Sequence, residues 1–214
     1  MAVICLEGPS GVGKTTIAAL LAQGFGATVV PEVNLLFERK GDEPKYWYFD
    51  RQADRLRAAR EAAAAGCLAA LDGDPFQQLW YNWAYGYDFG ESAEAVHEYY
   101  AMLIEAGRLN FPDRYFILGA REDALRFRKE NDRTRTRKNF ERHLRFIGPQ
   151  RAYFEFLSSH DGGRVRFIEN ENAELSARLI AEASRQKASR GNSFQLFSRL
   201  IEWLSNHMAE EFTF

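Results

Sequence analysis

The chain predicts an α/β fold: three α/β/α layers around a mostly parallel five-stranded sheet with helices on both faces. Short apolar runs alternate with longer segments whose apolar residues recur at helical spacing. A glycine-rich segment joins the first such run to the first such helix. At 214 residues, 46% hydrophobic and 27% charged, the chain is long enough to bury a sizeable core as a single domain over 1–214.

Element by element, "AVICLE" (2–7) reads as a strand and "KTTIAALLAQGF" as a helix. "ATVVPEV" (27–33) is a second strand interrupted at Pro31, and "YWYFDRQADRLRAAREAAAAG" an alanine-rich helix stopped by Gly66. "CLAALDGDP" is a third strand running into a turn. Gln77 to Gly107 is mostly helix, broken around "YGYDFGES", with Ser92 placed to cap the second part. "DRYFILGA" (113–120) is the fourth strand; the helix "QRAYFEFLSS", the turn "HDGG" and a fifth strand "RVRFIEN" (164–170) follow the basic stretch 121–145. Two helices, about 173–188 and 194–207, close the chain. The apolar face of the last suits packing against its own domain, and a homodimer contact would look the same.

Charge excludes some functions. Lys and Arg total 28 against 30 Asp and Glu, a formal net charge of −2, so bulk attraction to nucleic acid or an anionic membrane is not the working principle. Cys5 and Cys67 fall in apolar runs that read as buried strands, without zinc-site or disulfide spacing. With no run of about 18 apolar residues and no signal segment, a soluble protein in a reduced, cytoplasmic setting is expected.

"GPSGVGKT" (8–15) matches G-x-x-x-x-G-K-[ST], and it sits after a strand and before a helix, where that pattern makes physical sense. Gly8, Gly11 and Gly13 let the backbone curl so that successive N–H groups face inward, and the helix N-terminus adds partial positive charge. Lys14 then reaches the β- and γ-phosphates of ATP, and the Thr15 hydroxyl is a ligand for Mg²⁺. Gly8, Ser10, Gly11, Val12, Gly13, Lys14, Thr15 and Thr16 form the expected nucleotide-binding set, Thr16 reading chiefly as helix packing. The fold expected is therefore that of P-loop NTPases.

The stretch "FDRQADRLRAAREAAAAGCLAALDGDPFQQLWYN" resembles the thymidylate kinase pattern, in which F/Y-x-D-R opens a helix, a glycine ends it, and an acidic turn follows an apolar strand. Arg51, Gly66 and Asp72 fall where that family places its nucleotide-binding arginine, helix-ending glycine and turn Asp, and Tyr81 and Asn82 fall on its Tyr-Gln pair. "EGPSGVGKTT" followed by "PEV" is also similar to deoxynucleoside kinases, where an acidic residue after the second strand serves the acceptor hydroxyl. The resemblance covers residues 3 to about 157 and implies a nucleoside or nucleotide kinase. Gly73 stands where the family has arginine and Asn82 where it has glutamine, so the acceptor stays open between a nucleoside monophosphate, a nucleoside-like hydroxyl and another hydroxylated small molecule such as an antibiotic.

Phosphoryl transfer asks for positioning, a metal and positive charge rather than covalent help. Asp72, at the C-terminal end of a strand, is the expected Mg²⁺ partner beside Thr15, with a turn-forming Asp as the alternative. Asp74 reads as a turn residue before Pro75. Glu32 reads either as the group that orients the acceptor's proton or as an exposed loop acid. Arg51 and Arg55, one helical turn apart, are candidates to grip an acceptor phosphate, and Phe49 and Tyr81, with Asn82, to hold a flat ring.

The stretch 121–145 holds ten basic and five acidic residues, a local +5 that leaves −7 for the rest of the chain. It could be a nucleic-acid arm, the function then being a non-catalytic switch, or a solvated helix face. Its position between the fourth and fifth strands is where the resembling kinases carry a lid that closes over the triphosphate. Arg126, Arg128, Arg133 and Arg137 are the residues expected to reach phosphate, Arg128 and Arg133 as catalytic groups, and a small-molecule partner is favoured over nucleic acid.

Overall fold

The apolar N-terminal run forms β1 (Val3–Glu7), every residue of it buried. Four further strands join it: β2 (Thr28–Val30), β3 (Ala69–Asp72), β4 (Arg114–Gly119) and β5 (Val165–Glu169). All pairings are parallel, in the order β2-β3-β1-β4-β5. The structure is a computed structural model that describes residues 1–87, 91–132, 140–186 and 191–212.

Parallel neighbours need long crossovers, and the helices supply them on both faces. The pleat divides the strand side chains between two cores. Val3 and Cys5, Ala69 and Leu71, Tyr115 and Ile117 face one core. Its helical side is α3 (Trp47–Ala64), α4 (Gln77–Ala84), α5 (Ala93–Glu105), α8 (Ile147–His160) and α10 (Ser193–Asn206). Ile4 and Leu6, Ala70, Phe116 and Leu118 face the other, closed by α1 (Lys14–Phe25), α6 (Glu122–Glu130), α7 (Phe140–Leu144) and α9 (Ala173–Ser184). The apolar face of α10 is part of this packing, set against α5 and α8. Ser92 caps α5 as expected, its hydroxyl accepting from the Ala95 N–H at 3.2 Å.

Four features differ from the expectation. β2 stops at Val30, because Pro31 has no N–H to continue the ladder, and a short helix α2 (Val33–Leu36) follows with Glu32 at its N-cap. Four residues are too few for periodicity to reveal. Cys67 is not in a strand; it is half-buried in the turn before β3. Thr16 is exposed rather than packed. The basic stretch contains α6 and α7 on either side of residues 133–139, and these last lie outside the described residues together with Arg133 and Arg137.

Asp74 is more than a turn residue. It is wholly buried, and its Oδ1 accepts both the Phe76 N–H at 3.0 Å and the Tyr115 hydroxyl at 2.9 Å. Burial raises its pKa to about 7 against the opposing pull of those two donors. Since the neutral acid is favoured in the fold, the stability it contributes is fully present below about pH 4 and is lost as pH rises through about 7. Asp74→Asn keeps the acceptor oxygen and removes the charge. It should gain about 2 to 3 kcal/mol on the native protein between about pH 5 and pH 8 in urea unfolding. Parallel pH profiles for the two proteins would show that Asp74 does not titrate in this range.

Candidate active site

The segment Gly8–Thr15 links the end of β1 to α1 at the C-terminal edge of the sheet. Gly8 has φ +145°, and a Cβ there would collide with the Leu118 carbonyl of β4, so only glycine lets the loop leave the strand this close to its neighbour. The helix starts at Gly13 with no side-chain cap and no acidic residue in its first turn. The first N–H groups of α1 thus have no capping side chain, which is the condition for anion binding at a helix N-terminus. Lys14 Nζ donates to the Gly8 carbonyl at 2.6 Å and lies 3.9 Å from Glu7 Oε1.

β1 and β3 run side by side with Leu6 opposite Asp72, which brings the carboxylate of Asp72 under the start of α1. The Thr15 hydroxyl donates to Asp72 Oδ2 at 3.0 Å, and Asp72 Oδ1 is buried without a hydrogen-bond partner. A hydroxyl and a carboxylate with an open oxygen fit a Mg²⁺ ion, which takes one or two protein oxygens and completes its shell with phosphate and water. Among the described residues no group of three or more His, Cys, Asp or Glu side chains is arranged to hold a metal unaided.

Glu7 is not among the residues expected from the sequence. It is buried, its Oε1 accepting from the Gly8 N–H at 2.8 Å and Gln150 Nε2 at 3.2 Å, its Oε2 from the Asp74 N–H at 2.9 Å. Burial raises its pKa, while Lys14 and the two backbone N–H groups hold it down. One acidic residue ending an apolar strand just before the loop was the available signal. Gln150, in α8, carried none.

The residues expected from the sequence to face an acceptor divide. The point where a Cβ on Gly73 would sit is 3.9 Å from Glu7 Oε2 and 4.0 Å from Glu32 Cγ, so Glu32 does reach the cleft beside Asp72. Tyr81 is near both acids: burial raises its hydroxyl pKa most, with Glu7, Tyr85 and Glu32 adding to the rise. Its ring lies against Tyr85 and Phe146, and Arg142 stands 4.0 Å over Tyr85. Asn82 donates to the Gln78 carbonyl at 2.6 Å, leaving Oδ1 buried without a partner. Phe49 is packed in the core against Tyr46, Tyr99 and Tyr100, with no face open to a ligand ring.

The two arginines also part company. Arg51 pairs with Asp54 at 2.8 Å and lies over the Phe37 ring, its Nε buried without a partner. Arg55 is buried and committed to the fold. Its Nε donates to the Pro31 carbonyl at 2.7 Å, its Nη2 to the Asp72 carbonyl at 2.6 Å and the Gly73 carbonyl at 3.3 Å, and its Nη1 to Gln52. Those donors hold the ends of β2 and β3 rather than face a ligand, because the inward side of α3 happens to be the side that carries Arg55.

In the basic stretch, Arg126 is a staple between helices. It bonds Glu122 at 2.8 Å and both oxygens of Glu141, at 2.7 and 2.9 Å. Arg128 instead points at the glycine loop, donating to the Val12 carbonyl at 3.1 Å and the Asn170 carbonyl at 2.7 Å. Asn170, another residue not foreseen, donates from Nδ2 to the same Val12 oxygen at 2.6 Å. A cavity of about 510 Å³ lies at the opposite edge of the sheet, before β4 and β5, but Arg60 and Arg164 there are already paired with Asp113 and Asp161.

Among the described residues no helix is long and apolar enough to cross a membrane. No curated protein sequence matches the chain. Among solved structures, thymidylate kinase from Candida albicans is similar in fold, with a TM-score of 0.57 at 14% identity, over 85% of this chain and 89% of that one. Deoxyadenosine kinase from M. mycoides, solved with bound dATP, gives a TM-score of 0.52 at 17% identity, over 84% of this chain and 97% of that one. At such identities the likeness carries the architecture, which is that of nucleoside and nucleotide kinases. The family model described as an AAA domain matches residues 3–152, well over half of the chain, and with the loop and its Thr15–Asp72 contact in place the protein belongs to that AAA-domain (AAA_28) family of P-loop proteins.

Proposed function

We propose that the protein is an ATP-dependent small-molecule kinase, a single catalytic domain that moves the γ-phosphoryl group of ATP to a nucleoside monophosphate or a nucleoside-like hydroxyl. The observation that carries this is the pairing of an uncapped helix N-terminus at Gly13 with Thr15 and an Asp72 that keeps one oxygen open. The dATP in the deoxyadenosine kinase structure supports a nucleotide as the ligand of this fold. Mg²⁺, held by Thr15 and Asp72, supplies charge neutralisation across the phosphates when bound.

The chain's own residues supply the rest. The loop N–H groups bind the phosphates, and Lys14, released from the Gly8 carbonyl, stabilises the charge that develops during transfer. Glu7 holds the Gly8 end of the loop in register with the Asp74 turn. Glu32 faces the acceptor and orients its hydroxyl, while Tyr81 and Asn82 present a ring and an unpaired carbonyl to the acceptor's flat part. Arg51, whose Nε lacks a partner, suits a phosphate on the acceptor. A second reading changes only the acceptor, to another hydroxylated compound, and is favoured by Gly73 and Asn82 at positions where arginine and glutamine would be expected.

ADP release measured at fixed ATP with nucleosides, nucleoside monophosphates and unrelated alcohols separates the two readings. Turnover with no nucleoside or nucleotide but with another alcohol would select the second. Lys14→Ala should lower turnover with the best acceptor by about 100-fold or more at unchanged far-ultraviolet circular dichroism. A folded variant with native turnover would sink the kinase assignment. Asp72→Asn should raise the Mg²⁺ concentration for half-maximal rate by about tenfold or more, and an unchanged titration would take Asp72 out of the metal site.

A further inference from the structure

The loop's phosphate contacts depend on which way its peptide units face, and one of them is held from outside. The Val12 carbonyl accepts from Asn170 Nδ2 at 2.6 Å and Arg128 Nη1 at 3.1 Å. Asn170 is 3% exposed at the end of β5, and its orientation is determined on every side. Its N–H donates to the Gly119 carbonyl at 2.7 Å, its carbonyl accepts from Arg128, and its Oδ1 accepts from the Ser176 hydroxyl at 2.9 Å. The Val12 carbonyl can only accept, so the amide nitrogen is the end that meets it, and Oδ1 takes the Ser176 hydroxyl. A trans peptide is planar, so its C=O and N–H point in opposite directions. Drawing the Val12 oxygen outward therefore turns the Gly13 N–H inward, at the start of α1 where the loop closes.

We infer that Asn170, with Arg128 as a second support, is a positioning residue that aims the Gly13 N–H into the phosphate site by holding the carbonyl end of the Val12–Gly13 peptide. The same contact explains why residue 13 tolerates no side chain: φ is +102°, and a Cβ would stand 2.9 Å from Asn170 Nδ2. β5 and α6 thereby act on a loop that belongs to β1 and α1. Neither residue touches the phosphate through this arrangement; both act through a backbone donor. The inference rests on the loop being a nucleotide site, as proposed above.

Asn170→Asp keeps the shape and the Ser176 bond but sets a carboxylate oxygen against the Val12 carbonyl. Calorimetric titration with Mg·ATP should show binding weakened by about tenfold or more, since a buried acceptor then meets another acceptor. Ser176→Ala, which removes the bond that restrains Oδ1 and leaves the Val12 contact in place, should weaken binding by about threefold. In ¹H–¹⁵N spectra the shift of the Gly13 amide on adding Mg·ADP should disappear in Asn170→Asp, while that of Thr15, held by α1, remains. A general loss of structure would move both. If folded Asn170→Asp binds Mg·ATP within about twofold of the native protein and keeps the Gly13 shift, the positioning role is overturned and the kinase reading stands. If the native protein binds no Mg·ATP, both fall. Should Asn170→Asp not fold, Ser176→Ala decides: unchanged affinity overturns the role, and weakened affinity with a reduced Gly13 shift supports it.

Discussion

The parallel pairing of β1 with β3, Leu6 opposite Asp72, is the constraint on which the cleft depends. It fixes the distance between the glycine loop that follows one strand and the acidic turn that follows the other. A slip of one residue would turn Asp72 to the other face of the sheet and separate it from Thr15. The two cores that press the sheet from both sides hold that register, because each strand contributes alternate side chains to each core. Function at the strand ends is in this sense a consequence of packing in the middle.

The strand ends carry an unusual load of buried polar groups. Glu7, Asp72 and Asp74 lie within a few residues of the sheet's edge, with Arg55 as the buried cation beneath them. A buried charge is tolerable only when hydrogen-bonded or neutralised, and each of these groups meets that condition in its own way. Glu7 collects two backbone N–H groups and an amide; Asp74 shifts toward its neutral form; Arg55 distributes its donors over the carbonyls that end β2 and β3. Asp72 and Asp74 each keep one buried oxygen without a partner; burial favours the neutral acid at Asp74, while the Asp72 carboxylate already meets the Thr15 hydroxyl at the start of α1. The loop, the acidic turn and the end of β5 are therefore one connected hydrogen-bonded unit rather than three adjacent loops.

Much of this was legible beforehand. The glycine loop, the five strands, the helix-ending Gly66, the Ser92 cap and the place of Asp72 follow from local patterns that any tertiary setting would respect. What was not legible depends on orientation or on long-range contact. Helical spacing places Arg51 and Arg55 one turn apart, but only the packing of α3 decides that Arg55 turns inward to backbone carbonyls. Phe49 has the composition of a stacking residue and is core. Gln150 and Asn170 reach the loop from positions 143 and 158 residues away from their partners, with nothing in their neighbourhoods to announce it. Arg126, expected to reach phosphate, is instead tied to Glu122 and Glu141, because which arginines meet the interspersed acids depends on how α6 and α7 lie against each other.

The proposed function places nucleotide phosphates in the Gly8–Thr15 loop, with a metal beside Thr15 and Asp72. A crystal structure of the chain with Mg·ADP tests it most directly. The expected result is the β-phosphate against the loop N–H groups and the Lys14 ammonium, with Mg²⁺ between it, the Thr15 hydroxyl and the Asp72 side chain. Phosphate density at the opposite edge of the sheet, in the cavity lined by Arg60 and Arg164, with an empty loop, would contradict it.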